Sequence, residues 1–293
     1  MIYELILPLT AAIIFTLGSI FSKRGFHEGA TAKQGFYISC LFIALTPLPL
    51  LFFETKPIPW ENLHQVMICG FLLYIGNWLA LLGVHRGDVS IVTPVLGTKV
   101  VFVAIATVFL TNVHVPASLW IAAILTPVGI LVLGARDMHA NKSAIWQTIG
   151  FALASAACFS LFDVLVFRWA REFGAFAFVS LSSAVMAVPA ASRLLLYPEL
   201  WRDLSKASRS WLGLGGFSMG FQASLLGLAL AFAAQATQVN VVYASRGLWS
   251  IVLVWLLGHW FRLEEKSQKP GVFAWRLAGA IILTSAIVLA IVS

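Results

Sequence analysis

The chain has 293 residues, of which 60% are hydrophobic and only 11% charged, with a mean hydropathy of +0.92. A soluble domain of this length cannot hide that much apolar surface, so the solvent for most of it is lipid. The net charge of +7 is no nucleic-acid footprint, because nearly all the basic residues lie in short connections between apolar runs.

The opening MIYELILPLT has no basic leader and no small-residue cleavage site, so a removable signal peptide is not expected. A bilayer needs about 20 predominantly apolar residues per helix. Apolar runs between charged or proline-containing breaks give ten candidate spans: 3–22, 32–53, 62–84, 88–110, 116–134, 146–169, 173–197, 209–234, 238–260 and 273–292. Tryptophans such as Trp60, Trp146, Trp201 and Trp275 fall near span ends, where interfacial anchors belong. No connection is long enough to fold as a soluble domain. The expected fold is an all-α integral membrane bundle of ten transmembrane helices.

Within the third span, Tyr74, Asn77 and Trp78 stand at i, i+3 and i+4, so one face presents a hydroxyl, an amide and an indole. Such a face can line a cavity, and Trp78 can equally be packing. The fourth span holds a cation, Lys99, with Thr93 and Gly97 sharing one face and Ser90 a turn earlier. The sixth carries Asp163, an acid well inside a span. It is either a titrating proton or cation carrier or a salt-bridge partner for one of the buried cations. In the eighth span, Gly216, Gly220 and Ser224 recur every four residues and read as a close helix–helix contact. No lysine or threonine follows these glycines as a phosphate loop requires. Gln222 beside them is a cavity candidate or an interhelical hydrogen bond.

The ninth span contains VVYASRGLWSIVLVW, with Arg246 a third of the way along. A charge at mid-bilayer costs about 2.5–3.5 kcal/mol on insertion scales and usually faces an interior cavity. On one continuous helix Asn240, Tyr243, Arg246 and Ser250 share a face. That stripe is a plausible ligand wall; the alternative is an arginine that only tethers neighbouring helices. Two buried cations argue for an anionic group on the ligand, a carboxylate or a phosphate.

Cys40, Cys69 and Cys158 fall within apolar runs without metal-ligand spacing, and the six histidines form no two-histidine pattern. Neither a nucleophile motif nor an ATP-binding element is present, so no enzyme activity, metal or cofactor is expected.

The sequence also repeats. A shift of 150 lays GDVSIVTPVLGTKVVFVA (87–104) over TQVNVVYASRGLWSIVLV (237–254), bringing Gly97 onto Gly247 and Lys99 onto Trp249, one turn from Arg246. A shift of 145 lays KRGFHEGATAKQGF (23–36) over RWAREFGAFAFVSL (168–181), matching Lys23 with Arg168 and Gly29 with Gly174. The expected organisation is a five-helix repeat over 1–134, a cytoplasmic linker over 135–145 and a second repeat over 146–293. Five spans is an odd number, so tandem halves insert with opposite orientation. The loop charges agree: fourteen basic residues fall on one side and three on the other, with the bias reversing between halves. Positive-inside reasoning then puts both termini outside.

Ten helices in two inverted five-helix halves resemble the drug/metabolite transporter superfamily, in its EamA-like branch. The segments that carry the likeness are VSIVTPVLGTKVVFV, VNVVYASRGLWSIVLV, SLWIAAILTPVGILVLG (118–134) and WRLAGAIILTSAIVLAI (275–291). The family often has an acid just after the fourth and ninth helices; FRLEEKS (261–267) keeps Glu264 and Glu265, while FLTNVHVP (109–116) has none. The resemblance implies a cell-membrane carrier of a small metabolite, working by alternating access on a proton gradient, another gradient or a counter-substrate. Phosphate-binding members are similar in keeping basic residues on these two helices. Arg246, Tyr243 and Asn240 are the expected contacts, with Lys99 as charge partner and Tyr74, Asn77 and Trp78 lining the cavity. Nucleic acid is not an expected partner, and monomer and homodimer both stay open. So do an exporter of neutral or cationic amphiphiles with structural charges, and a non-transporting membrane enzyme or receptor.

Overall fold

In the computed structural model, residues 2–86, 92, 95–134, 145–257 and 272–292 are described. Among them every regular element is helical, as lipid requires when each backbone donor must find its acceptor within its own segment. Six helical stretches are long and apolar enough to cross a membrane, from Tyr3–His27 to Lys206–Phe232, and shorter apolar helices lie between and after them. Residues 135–144 of the linker, together with Thr93, Ser90, Glu264 and Glu265, lie outside the described residues.

Helix α1 (Leu7–His27) follows a short π-helical turn and runs five residues beyond its expected end. It stops at Gly29, where φ is +97°. The Ala30 amide bonds the Gly25 carbonyl and the Gly29 amide that of Phe26, a closure that calls for a left-handed residue. Helix α2 (Ala32–Leu45) opens on a reciprocal cap between Thr31 and Gln34. It ends before Pro47, which has no amide to donate, and the chain continues as a 3₁₀ segment, Leu48–Phe53. Helix α3 covers Leu63–Arg86, α4 Lys99–Leu110 and α5 Ala117–Gly134.

Helix α6 (Ile145–Phe173) turns at Gly174, φ +108°, into α7 (Ala175–Ala184). A break at Val185–Met186 precedes α8 (Ala187–Leu196), whose third residue, Pro189, leaves the carbonyl four residues back without its usual donor. Helix α9 is Lys206–Phe232, α10 Ala236–Tyr243, α11 Arg246–Leu257 and α12 Val272–Val292. Between α10 and α11 the Ser245, Gly247 and Leu248 amides bond carbonyls three residues back, so the turn is tightened.

Small residues bring the main helix pairs together, as lipid-embedded contacts require. Helix α1 packs along α9 and α3 along α6, while α5 pairs with α12. At Gly18 an added Cβ would stand 2.9 Å from that of Ser218. Gly216 and Gly220 of α9 abut Phe42 and Thr46 of the second span, so the four-residue spacing is a packing seam. The Ser155 hydroxyl donates to the Gly76 carbonyl at 2.7 Å and ties α6 to α3.

Candidate functional site

Helices α3, α4, α6, α7, α9, α10 and α11 surround a cavity of about 250 Å³, with α1 and α2 completing its wall. Most of the lining is apolar: Phe15, Leu73, Phe159, Phe162 and Met219 are typical. Against these stand Asn77, Lys99, Asp163, Ser183, Gln222, Tyr243 and Arg246.

The breaks in the helices place the charges. Lys99 is the first residue of α4, just after the turn at Thr98, whose hydroxyl donates to the Val95 carbonyl at 2.6 Å. Arg246 is likewise the first residue of α11, just after the turn at Ala244–Ser245. Each cation therefore opens a new helical segment just after a turn.

Their environments differ. Lys99 Nζ lies 2.6 Å from Asp163 Oδ2, with the aspartate side chain only 2% exposed. Its carbonyl accepts the Ser160 hydroxyl at 2.9 Å, a second link between α4 and α6. Arg246 has no carboxylate within salt-bridge distance among the described residues. Its guanidinium rests on two rings instead, 4.7 Å from the centroid of Phe15 and 4.9 Å from that of Tyr243. Tyr243 donates its proton to Gln222 Oε1 at 2.9 Å and accepts from Arg246 at 3.4 Å. Lys99 Nζ also lies 5.8 Å from the Tyr243 ring, so that ring faces both cations.

Of the residues singled out from sequence, Arg246, Tyr243, Lys99, Asp163, Gln222 and Asn77 meet at this cavity. Asn77 spends one donor on the Leu73 carbonyl at 2.8 Å. Tyr74 and Trp78 pack on Phe36, with ring centroids 6.1 and 5.5 Å away, in a cluster beside the cavity. Asn240 is buried with its amide bonded to Ala236 of its own helix, and the break at Ala244–Ser245 takes it off the Arg246 face. Ser250 lines a second cavity of about 280 Å³, together with Thr16, Ser19 and Ile130. Phe15, Leu96 and Arg246 border both spaces, so the guanidinium stands at their junction. Along α1 and α11 the second cavity extends from Phe15 and Arg246 toward the His27 end of the bundle.

The opposite end is laced shut. Arg168 donates to the last carbonyl of α4, Leu110, at 2.5 Å. Arg171 donates to Ala231 and Ala233 at the end of α9, at 3.3 and 3.0 Å, and Lys56 to the Arg171 carbonyl at 2.9 Å. Glu54 accepts the Phe176 and Ala177 amides at 3.1 and 3.2 Å, capping α7 where its dipole favours an anion. Glu4 accepts from the Ala234 amide at 3.2 Å.

Sequence reading missed the walls Phe15, Phe159, Phe162 and Met219, which look like any lipid-facing side chain. It also missed the seal, because its acceptors are backbone carbonyls.

A multi-pass helical protein with a polar, charged cavity inside the bundle has the architecture that membrane transporters use. Residues 2–135 match the model of the EamA-like transporter family, part of the drug/metabolite transporter superfamily. Its members carry small molecules and are not enzymes. Among 27 matching solved chains, one described simply as "Crystal structure of protein" aligns with a TM-score of 0.76. That alignment has 14% identity and covers 98% of this chain and 97% of the other, so the shared fold extends over both halves. No curated protein matches.

Proposed function

We propose that the chain is a carrier that moves a small metabolite bearing an anionic group across the cell membrane by alternating access. The observation that carries this reading is Arg246, a guanidinium on the wall of an embedded cavity with two aromatic supports and, among the described residues, no carboxylate within salt-bridge distance. A permanent charge is costly there unless something compensates it, and a bound anion does so. Gln222, Tyr243 and Lys99 complete the polar wall, while Asp163 holds Lys99.

The carrier has ten spans in two inverted repeats, 1–134 and 146–293, joined by the cytoplasmic linker 135–145, with both termini outside. Several paired features support this reading. The two positive-φ glycines among the described residues, Gly29 and Gly174, are the pair matched by the 145-residue shift. Breaks at Thr46–Pro47 and Val185–Met186 interrupt corresponding spans, and Lys99 and Arg246 each open a helix just after a turn. Exchanging the halves also converts the α1–α9 contact into the α3–α6 contact. Two such halves can rock about a central site, and closure at the Glu54–Arg171 end is what one limiting state of that motion requires.

Uptake into liposomes by the purified protein tests the proposal, with Arg246→Gln as the comparison. Anion uptake that disappears in a folded Arg246→Gln protein supports it. Uptake of neutral or cationic amphiphiles that survives the substitution would make Arg246 a tether held by Phe15 and Tyr243.

A further inference from the structure

Charge and hydrogen-bonding capacity in the cavity define a narrower ligand class than "anion". Among the described residues, three ionisable side chains with a fixed or paired charge line it: Lys99, Asp163 and Arg246. Lys99 and Asp163 neutralise one another at 2.6 Å, which leaves one positive charge. The remaining polar groups are largely committed. Tyr243 donates to Gln222, Gln222 donates to the Met219 carbonyl at 3.1 Å, and Asn77 donates to Leu73. What the cavity offers a ligand is one guanidinium, the Ser183 hydroxyl and a predominantly apolar wall.

We infer that the cargo is a monocarboxylate with an apolar body of about ten non-hydrogen atoms, a size scaled from the roughly 150 Å³ cavity that accepts benzene. The inference rests on the carrier reading above. A carboxylate on Arg246 makes the closed site neutral, the arrangement a low-dielectric interior favours. A zwitterion brings an ammonium whose one carboxylate partner, Asp163, is 2% exposed and held by Lys99. A dicarboxylate or phosphate monoester brings a second negative charge. Lys99 could meet it only by releasing Asp163, with the Tyr243 ring lying between the two cations. The body of the ligand then lies against Phe15, Phe159, Phe162 and Met219.

The test is a matched series on one phenyl body, measured by ligand-induced thermal stabilisation of the purified protein in one neutral buffer. The four probes are 3-phenylpropanoate, phenylalanine, benzylmalonate and 3-phenylpropan-1-ol. The expected result is stabilisation by 3-phenylpropanoate, with the other three at least about tenfold weaker because each leaves a buried charge uncompensated. Arg246→Gln, shown folded by a single symmetric elution peak, is expected to lose that response and Arg246→Lys to keep part of it. Phenylalanine binding as tightly as the acid overturns the ligand class, as does tighter binding of benzylmalonate. In either case a response that still needs Arg246 leaves the anion-carrier reading standing. Equal binding of the alcohol, unchanged in Arg246→Gln, overturns both readings. No response to any of the four overturns the class assigned here. Uptake of 3-phenylpropanoate into liposomes is measured separately: binding without uptake sinks the carrier reading and leaves the ligand class intact.

Discussion

Lys99 and Arg246 stand on the same aromatic ring, that of Tyr243, at 5.8 and 4.9 Å, yet among the described residues only Lys99 has a carboxylate partner. The two cations therefore respond oppositely to removal. Lys99→Met strands Asp163 in a nearly solvent-free site and is expected to cost about 3–5 kcal/mol, the usual penalty for breaking a buried pair. Lys99→Met combined with Asp163→Leu should recover most of that loss. Denaturant or thermal unfolding in detergent of the three variants measures it.

Arg246→Gln removes a charge that costs about 2.5–3.5 kcal/mol to hold at mid-bilayer, so the melting temperature without ligand should stay level or rise. The same variant should lose its stabilisation by anions. A fall in the ligand-free melting temperature comparable to that of Lys99→Met would identify Arg246 as a structural tether.

Tyr243→Phe deletes the donor to Gln222 and the acceptor for Arg246 while leaving the ring on both cations. The expected stability loss is about 1 kcal/mol, the net worth of one internal hydrogen bond. Anion affinity should fall by less than in Arg246→Gln, because the guanidinium keeps both aromatic faces. Parallel titrations of the two variants give the comparison.

Gly29 and Gly174 share a left-handed backbone but not their surroundings. A Cβ at Gly29 meets nothing within 4 Å, whereas one at Gly174 would stand 2.7 Å from a Glu54 carboxylate oxygen. Gly29→Ala should cost about 1–2 kcal/mol from backbone conformation alone. Gly174→Ala should cost more and loosen the Glu54 cap on α7. Melting temperatures of both variants, with Glu54→Gln as a third, test the difference.

Arg171→Gln removes donors to Ala231 and Ala233 and should weaken closure at that end of the bundle. The readout is labelling of Ala223→Cys, in a background where Cys40, Cys69 and Cys158 are replaced, by an impermeant maleimide added from the Glu54 side. Labelling several-fold faster than in the parent is expected. An unchanged rate would mean that the other ties carry the closure.

Much of this architecture is legible in the sequence, because the features that mark it are expensive in lipid. Charges at positions 99, 163 and 246 inside apolar runs have few acceptable explanations, and all three reach the cavity. Gly29 and Gly174, which the 145-residue shift lays over one another, both have a left-handed backbone. Helix phase is harder to read. The stripe from Asn240 to Ser250 assumes one uninterrupted helix, and the tightened turn at Ala244–Ser245 sends Asn240 into packing and Ser250 into a second cavity. No proline or glycine at 244 or 245 signals that turn. Apolar walls leave no mark at all, since Phe159 facing a ligand and a phenylalanine facing lipid obey the same composition rules.

The ties made by Arg168 and Arg171 have a consequence for how acidity can act on the protein. Their partners are the carbonyls of Leu110, Ala231 and Ala233, and neither a guanidinium nor an amide carbonyl changes its protonation between mildly acidic and mildly alkaline conditions. These closing contacts hold with the same strength across that range. A pH–rate profile should thus carry no contribution from a loss of the two arginine ties.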